Sequence, residues 1–297
     1  MKKILVVRTG GTIGSVDNEG TITTAADSCR VLEMFLEKDN RESFEVITPY
    51  LILSENLRPS HWERLIRTVA QADRKVFKGI IILHGSDTLS YTSAMLGLCF
   101  RELRLPVVIT ASDLVPMNEK SNALCNFTEA VRIVNRGKTG VYTVFRNKPG
   151  DTDNVFLPWE ITEADRFTDC FCRVKGADRP DITVSHPENI CFRKTVRMVF
   201  SYPGMDPEDI APGKDTGAVL LVSYHSGTAP NTAMKLLRNC KDRGIPLYIC
   251  SFKKGQKSFY ETTGSFIAKG AVPLYNITNE TAYAALMIRL NMQGGNL

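Results

Sequence analysis

The sequence lacks a zinc-type cysteine pattern, a membrane-length apolar run and a basic stripe, and each absence removes a class of function. Eight cysteines are present, yet no Cys-x-x-Cys occurs, and Cys170 and Cys172 form the only close pair. Without a second pair or nearby histidines, that spacing makes a poor metal site. Most cysteines stand in apolar runs, such as Leu98-Cys99-Phe100 and Tyr248-Ile249-Cys250, as reduced core cysteines do. The four histidines, His61, His84, His186 and His225, share no ligand spacing. No stretch approaches the roughly 20 apolar residues of a membrane span. The opening run Ile4–Val7 is too short for a signal-peptide core, so a cytoplasmic protein without a membrane partner is expected. The formal net charge is +5, but Lys and Arg are scattered, and the densest basic spot is Lys253, Lys254 and Lys257. A nucleic-acid binder would show a stripe or a known motif, so no nucleic-acid partner is expected.

What is present is ordinary globular material. The 297 residues, 43% of them hydrophobic, suit one large domain or two of usual size. A chain this long buries a core without disulfides. Short apolar β runs alternate with helical patterns: Ile4–Val7, Phe44–Ile47, Gly79–Leu83, Val107–Thr110 and Val141–Phe145 read as strands. Between them, Leu32, Phe35 and Leu36 fall at helical spacing. Ser60-His-Trp-Glu63 reads as a capping box before the apolar face Trp62, Leu65, Ile66 and Val69, and Thr88–Phe100 and Asn122–Val134 read as helices. This βαβα order predicts an α/β fold with a mostly parallel sheet covered by helices on both faces. The stretch from Lys175 to Lys214 is rich in Pro, Asp and Gly, with one short β run, Val196–Phe200. The division expected is an N-terminal domain over 1–185, a linker over 186–215 and a smaller C-terminal α/β domain over 216–297.

Sites in open parallel sheets form at the carboxyl ends of strands. Three loops there carry polar groups. Arg8-Thr9-Gly10-Gly11-Thr12-Ile13-Gly14 follows the first strand, and its paired glycines let backbone turn sharply between two hydroxyls. It lacks the glycine spacing and lysine of a phosphate-binding loop. His84-Gly85-Ser86-Asp87-Thr88 leaves the strand Gly79–Leu83, where Ser86 or Asp87 could simply cap the following helix. Leu53-Ser54-Glu55-Asn56 precedes the Trp62 helix and by itself is an ordinary polar loop.

Taken together these loops resemble the asparaginase family. Residues 9–13 match its Thr-Gly-Gly-Thr-Ile motif in full, and residues 84–88 match His-Gly-Thr-Asp-Thr except at Ser86. Val108–Asn126, Tyr202-Pro-Gly-Met205 and Ser226-Gly-Thr-Ala-Pro-Asn231 are similar to further segments of its cytoplasmic members. The resemblance implies hydrolysis of the side-chain amide of asparagine, in some members also of glutamine, through a covalent acyl-enzyme. Thr12 would attack the amide carbon. Ser86 would help position water and supply part of the oxyanion hole. Backbone N–H groups of the turns at Gly11 and Gly85 would hold the developing charge. Asp87 would bind the substrate ammonium, and Ser54 its carboxylate. Glu55 and Ala111 complete the expected substrate contacts. No metal or organic cofactor is implied, and the partner is a small amino-acid or amide substrate. Family members form dimers, often paired into tetramers, so a homodimer or homotetramer is expected.

The chain departs from the family at several positions. The family lysine that pairs with the second threonine is missing: no lysine occurs between Lys148 and Lys175. The matching region, Phe156–Phe171, offers Glu160, Glu163, Asp165, Arg166 and Asp169. One of Glu160, Glu163 or Asp165 could serve as a base, whereas Arg166 stays protonated. The loop Ser15–Asp27 has threonines but no tyrosine to orient the nucleophile. Glu55 stands beside the expected position of the substrate carboxylate. It favours a ligand that lacks that group or carries a positive one, unless it points to solvent. Asn122 and Thr228 replace an acidic residue and an asparagine. Ser86 in place of threonine keeps the hydroxyl and loses only a rotamer-stiffening methyl. Two further readings follow: a protein of this fold that binds an amino-acid-like ligand without turnover, and a subunit of a tRNA-dependent amidotransferase. The second ranks last, since such subunits carry an extra N-terminal domain and this chain starts at its first strand.

Overall fold

The computed structural model describes residues 2–292 except 149, 152–153 and 207–211. The described residues form two compact units. Of these residues, one unit takes those within 2–173 and 183–190, and the other those within 174–182 and 191–292.

In the first unit, β1 (Lys3–Arg8), β4 (Phe44–Ile47), β5 (Phe77–Leu83), β6 (Pro106–Thr110), β7 (Gly140–Val144) and β8 (Val155–Phe156) form one sheet in the order β4-β1-β5-β6-β7-β8. All neighbours pair parallel except β8, which runs antiparallel to β7. The strands are apolar runs because both faces are covered. Ile4, Val6, Ile81, Leu83 and Val108 share a core with Val31, Leu32 and Phe35 of α1 (Arg30–Lys38) and Phe127 and Val131 of α4 (Ala123–Arg136). Side chains alternate along a strand, so Leu5, Val7, Ile80 and Ile82 point to the opposite face. Trp62 of α2 (Pro59–Ala70) donates from Nε1 to Thr92 of α3 (Leu89–Cys99) at 2.9 Å. Each fully buried Ile, Leu or Val contributes roughly 1.5–3 kcal/mol.

Several local expectations are refined. Helix α2 begins at Pro59 rather than at Ser60, because proline at the first helical position loses no hydrogen bond. Its capping box is made by Arg58 and His61, with the Arg58 N–H donating to Nδ1 of His61 at 3.0 Å. The stretch expected as a plain loop after Thr12 folds as an antiparallel hairpin, β2 (Ser15–Asn18) with β3 (Thr21–Thr24). Its two-residue turn holds Glu19 and Gly20 at φ 52° and 86°, the conformation that tight hairpins require.

The second unit corrects the expected linker. Residues 195–200, inside the expected linker 186–215, form β9 (Thr195–Phe200). It pairs in parallel with β10 (Thr216–Val222) at the edge of a second sheet. The β run Val196–Phe200 is legible there, but the Pro-, Asp- and Gly-rich residues around it resemble connecting chain. Part of the expected linker, 207–211, lies outside the described residues. The sheet continues through β11 (Leu247–Phe252) to β12 (Val272–Tyr275), all parallel, in the order β12-β11-β10-β9. Its core joins Val219, Leu221 and Ile249 to Leu236, Leu237 and Cys240 of α5 (Ala233–Asp242) and Phe266 of α6 (Glu261–Ala268). The helix α7 (Asn279–Asn291) closes the unit, capped by the Thr278 side chain. Among the described residues no helix is long and apolar enough to cross a membrane.

Candidate active site

The order of the first sheet reverses direction at β1: the chain steps to β4 on one side and to β5 on the other. Ligands of open α/β sheets bind in the crevice at such a switch point, outside the carboxyl ends of the strands. The parallel register pairs Val7 with Ile82 and Arg8 with Leu83. The chain therefore leaves β1 at Thr9 and β5 at His84 side by side. Thr9 fastens this exit: both its N–H, at 3.0 Å, and its hydroxyl, at 2.8 Å, donate to the carbonyl of Leu83. The third loop joins through the backbone, with Ile52 N–H donating to Thr9 O at 3.0 Å and Gly11 N–H to Ile52 O at 2.9 Å.

The three loops then meet at Gly11, Gly85 and Ser54. Gly11 holds φ 69°, and a Cβ on it would lie 2.2 Å from Cα of Gly85 and 2.3 Å from its nitrogen. A Cβ on Gly85 would lie 2.3 Å from Oγ of Ser54. Only backbone without side chains can come this close. The Thr88 hydroxyl completes the junction by donating to Ser54 O at 3.1 Å. The turn 9–12, the turn 84–88 and Ser54 are thus one packed junction.

The expected site residues differ in availability. Thr12 is half-buried, and among the described residues its hydroxyl takes part in no hydrogen bond. The same holds for the side chains of half-buried Ser86 and exposed Asp87. The capping alternative for those two does not apply, since Thr88 occupies the cap position of α3. Ser54 is buried and Glu55 is exposed. Ala111 is buried, and its carbonyl accepts from Asn126 Nδ2 at 2.9 Å. The Gly11 N–H, expected to help hold negative charge, is already engaged by Ile52. The amides of Thr12, Ser86 and Asp87 donate to no backbone carbonyl among the described residues.

A cavity of about 390 Å³ opens over the second turn, lined by Ser86 and Asp87, with Phe145 and the 163–169 loop among its walls. Thr12 is not among its lining residues. Of the three carboxylates expected as a base, Glu163 and Asp165 line this cavity and Glu160 does not. Glu160 is paired with Arg173 at 2.9 Å. Asp165 accepts the N–H groups of Phe167 and Thr168 at 3.1 and 3.2 Å, which hold its carboxyl below the usual range. Glu163 lines the cavity and accepts the Tyr91 hydroxyl at 2.9 Å. Asp87 is pushed above the ordinary aspartate value by burial first, then by the charges of Glu55 and Asp169. Asp169, one of the acidic residues of the stretch Phe156–Phe171, and Asp113, which follows β6 and to which the sequence assigns no role, also line this cavity. Among the described residues no group of three or more His, Cys, Asp or Glu side chains could hold a metal ion.

Beneath the junction, His84 is a fully buried strut. Its Nδ1 lies 2.9 Å from the Gly85 carbonyl, which can only accept, so the proton sits on Nδ1. Nε2 then accepts from the Thr92 hydroxyl at 3.0 Å. Burial pushes its pKa down to about 4. The depressed value means the unfolded chain binds this proton more readily than the folded one. Stability is therefore expected to be complete above about pH 6.5 and to fall toward pH 4, by on the order of 3 kcal/mol. Urea titrations at pH 7.5 and 4.5 check this, and the slope should flatten in His84→Gln.

The hairpin that follows Thr12 is tied to the same strand. Arg8 is buried, and its guanidinium donates to the carbonyls of Ala25 and Ala26, where the chain returns from β3. Ser15 donates its hydroxyl to Gly11 O at 2.8 Å. No aromatic hydroxyl stands in this hairpin, in keeping with its sequence.

A doubly wound α/β unit with a hydroxyl-bearing crevice at its switch point defines the class. A family model described as Asparaginase, N-terminal, matches residues 3–173, and the chain belongs to the asparaginase family. It is similar to an L-asparaginase of Thermococcus kodakarensis, 24% identical over 96% of this chain and 92% of that protein. It is also similar to a glutamyl-tRNA(Gln) amidotransferase subunit of Aeropyrum pernix, 26% identical over 96% of this chain and 74% of that one. Among solved structures, the thermostable L-asparaginase from Thermococcus kodakarensis superposes with a TM-score of 0.74 at 25% identity, covering 98% of this chain and 93% of that one. L-asparaginase I from Vibrio cholerae gives 0.73 at 20% identity, over 97% and 92%, and shares the fold.

Proposed function

We propose that the chain is an amidohydrolase that cleaves the side-chain amide of L-asparagine or a related small amide. The observation that supports this reading is the junction of Gly11, Gly85 and Ser54, which packs the turn that carries Thr12 against the turn that carries Ser86 and Asp87. In the reaction, Thr12 Oγ forms an ester bond to the amide carbon and the C–N bond breaks. The hydroxyl proton leaves with the nitrogen as ammonia. Water then adds to the ester, which releases the carboxylate and restores the hydroxyl. A threonine hydroxyl is a poor nucleophile without a proton acceptor. Glu163 takes that part here, in place of the family lysine, acting across Ser86. The free amides of Thr12, Ser86 and Asp87 supply donors for the oxyanion. A panel of asparagine, glutamine and their peptide and N-acyl derivatives tests the reading by ammonia release. Silence across the whole panel overturns it. Glu163→Gln is expected to lower kcat by about 10²–10⁴-fold with little change in KM, since general-base help is worth that much.

A second reading is a protein of the same fold that binds such a ligand without turnover, and the absence of any lysine from 149 to 174 favours it. Calorimetric binding together with product formation excludes it. The likeness to an amidotransferase component adds a third arm: ammonia release that requires a second protein. The assembly proposed is a homodimer or homotetramer, measured by light scattering.

A further inference from the structure

We propose that this site selects an amide carrying a positive group and no free carboxylate, rather than free asparagine. The inference rests on the amidohydrolase reading for the carboxamide end of the substrate, and it concerns the other end. The cavity beside Ser86 is lined by Asp87, Asp113, Glu163, Asp165 and Asp169 against a single guanidinium, Arg166. The charges of Asp169, in the lining, and of exposed Glu55, outside it, both disfavour ionisation of Asp87. The backbone N–H groups that bond Asp165 keep that carboxylate ionised. Phe145, the aromatic residue of the lining, is buried and packs edge-on against Phe171, with ring centroids 4.6 Å apart.

Three properties follow from this arrangement. A ligand carboxylate entering here meets like charges with one cation to offset them, which is unfavourable. An ammonium or guanidinium group relieves the mutual repulsion of Asp87, Glu55 and Asp169. A metal ion does not suit the site, because no three acidic, histidine or cysteine side chains among the described residues converge on one point. A cavity of about 390 Å³ has room for a small organic cation. Selectivity is then a difference between attraction of one charge and repulsion of the other.

The test compares kcat/KM for ammonia release from asparagine, from β-alaninamide and 4-aminobutanamide, and from an uncharged N-acyl amide. The amines are expected to exceed asparagine by about tenfold or more. Their KM should rise with added salt while kcat holds, because screening weakens the exposed charges. Asp169→Asn, which keeps size and tolerates the positive φ of that position, should raise KM for the amines about two- to fivefold and leave kcat unchanged. Asparagine as the best substrate, or a KM indifferent to salt and to Asp169→Asn, overturns the proposal and leaves the amidohydrolase reading standing. If no amide turns over, the amidohydrolase reading falls and calorimetry of 4-aminobutanamide still decides this one. Binding weakened by salt and by Asp169→Asn supports it, and binding of asparagine alone overturns it.

Discussion

Thr12→Ala is expected to reduce ammonia release from the best substrate by about 10³-fold or more while the protein stays folded, because the covalent route is removed rather than slowed. The half-buried Thr12 hydroxyl makes no hydrogen bond among the described residues, so its removal strands no buried partner. Circular dichroism and the unfolding midpoint should therefore be unchanged, and ligand affinity should persist. Thr12→Ser keeps the hydroxyl and should retain measurable turnover. Wild-type rates in Thr12→Ala would remove the threonine from the mechanism, whatever the fold.

Gly11→Ala is expected to damage both stability and activity. The added methyl would lie 2.2 Å from Cα of Gly85, and the residue holds φ 69°. The obstacle is backbone, so no rotamer change relieves it. Left-handed strain and overpacking together cost roughly 2–6 kcal/mol. If the chain folds at all, the two turns must separate, and turnover should be lost even at temperatures where the protein is native. Gly14→Ala is the control, since nothing lies within 4 Å of its added methyl. Equal unfolding midpoints for the two variants would show that the close approach of the turns at Gly11 does not matter.

Both experiments depend on features that were unequally legible in the amino-acid sequence. The strands β1, β5 and β6 were readable because doubly covered strands are unbroken apolar runs, and α1, α2 and α4 because their buried faces recur at helical spacing. The hairpin after Thr12 was not readable. Its strands are mostly exposed and polar, and only the two-residue turn at Glu19 and Gly20 marks it. The run Val196–Phe200 is legible as a β stretch, but its membership of the second sheet is not, because its neighbour β10 begins 16 residues after β9 ends. At the site, the motifs 9–13 and 84–88 identified the turns. Nothing local showed that Glu160 is held by Arg173, that the Gly11 amide is occupied by Ile52, or that Asp113 and Asp169 face the same cavity as Ser86.

By itself the sequence determined the α/β class, the family, and the residue types at each strand exit. The class follows from side-chain periodicity and the exits from residues that can turn a backbone sharply, both acting over a few neighbouring positions, whereas the family follows from the resemblance of residues 9–13 and 84–88 to its motifs. The tertiary structure decided which exits meet and which polar groups remain available. Gly11 and Gly85 touch only because β1 and β5 lie adjacent in register across 74 intervening positions of chain, counted from Arg8 to Leu83. Whether a carboxylate is paired, locally bonded or open to a cavity is set by groups brought in from other loops. Such partners follow from sheet order and packing, which no short stretch of sequence encodes.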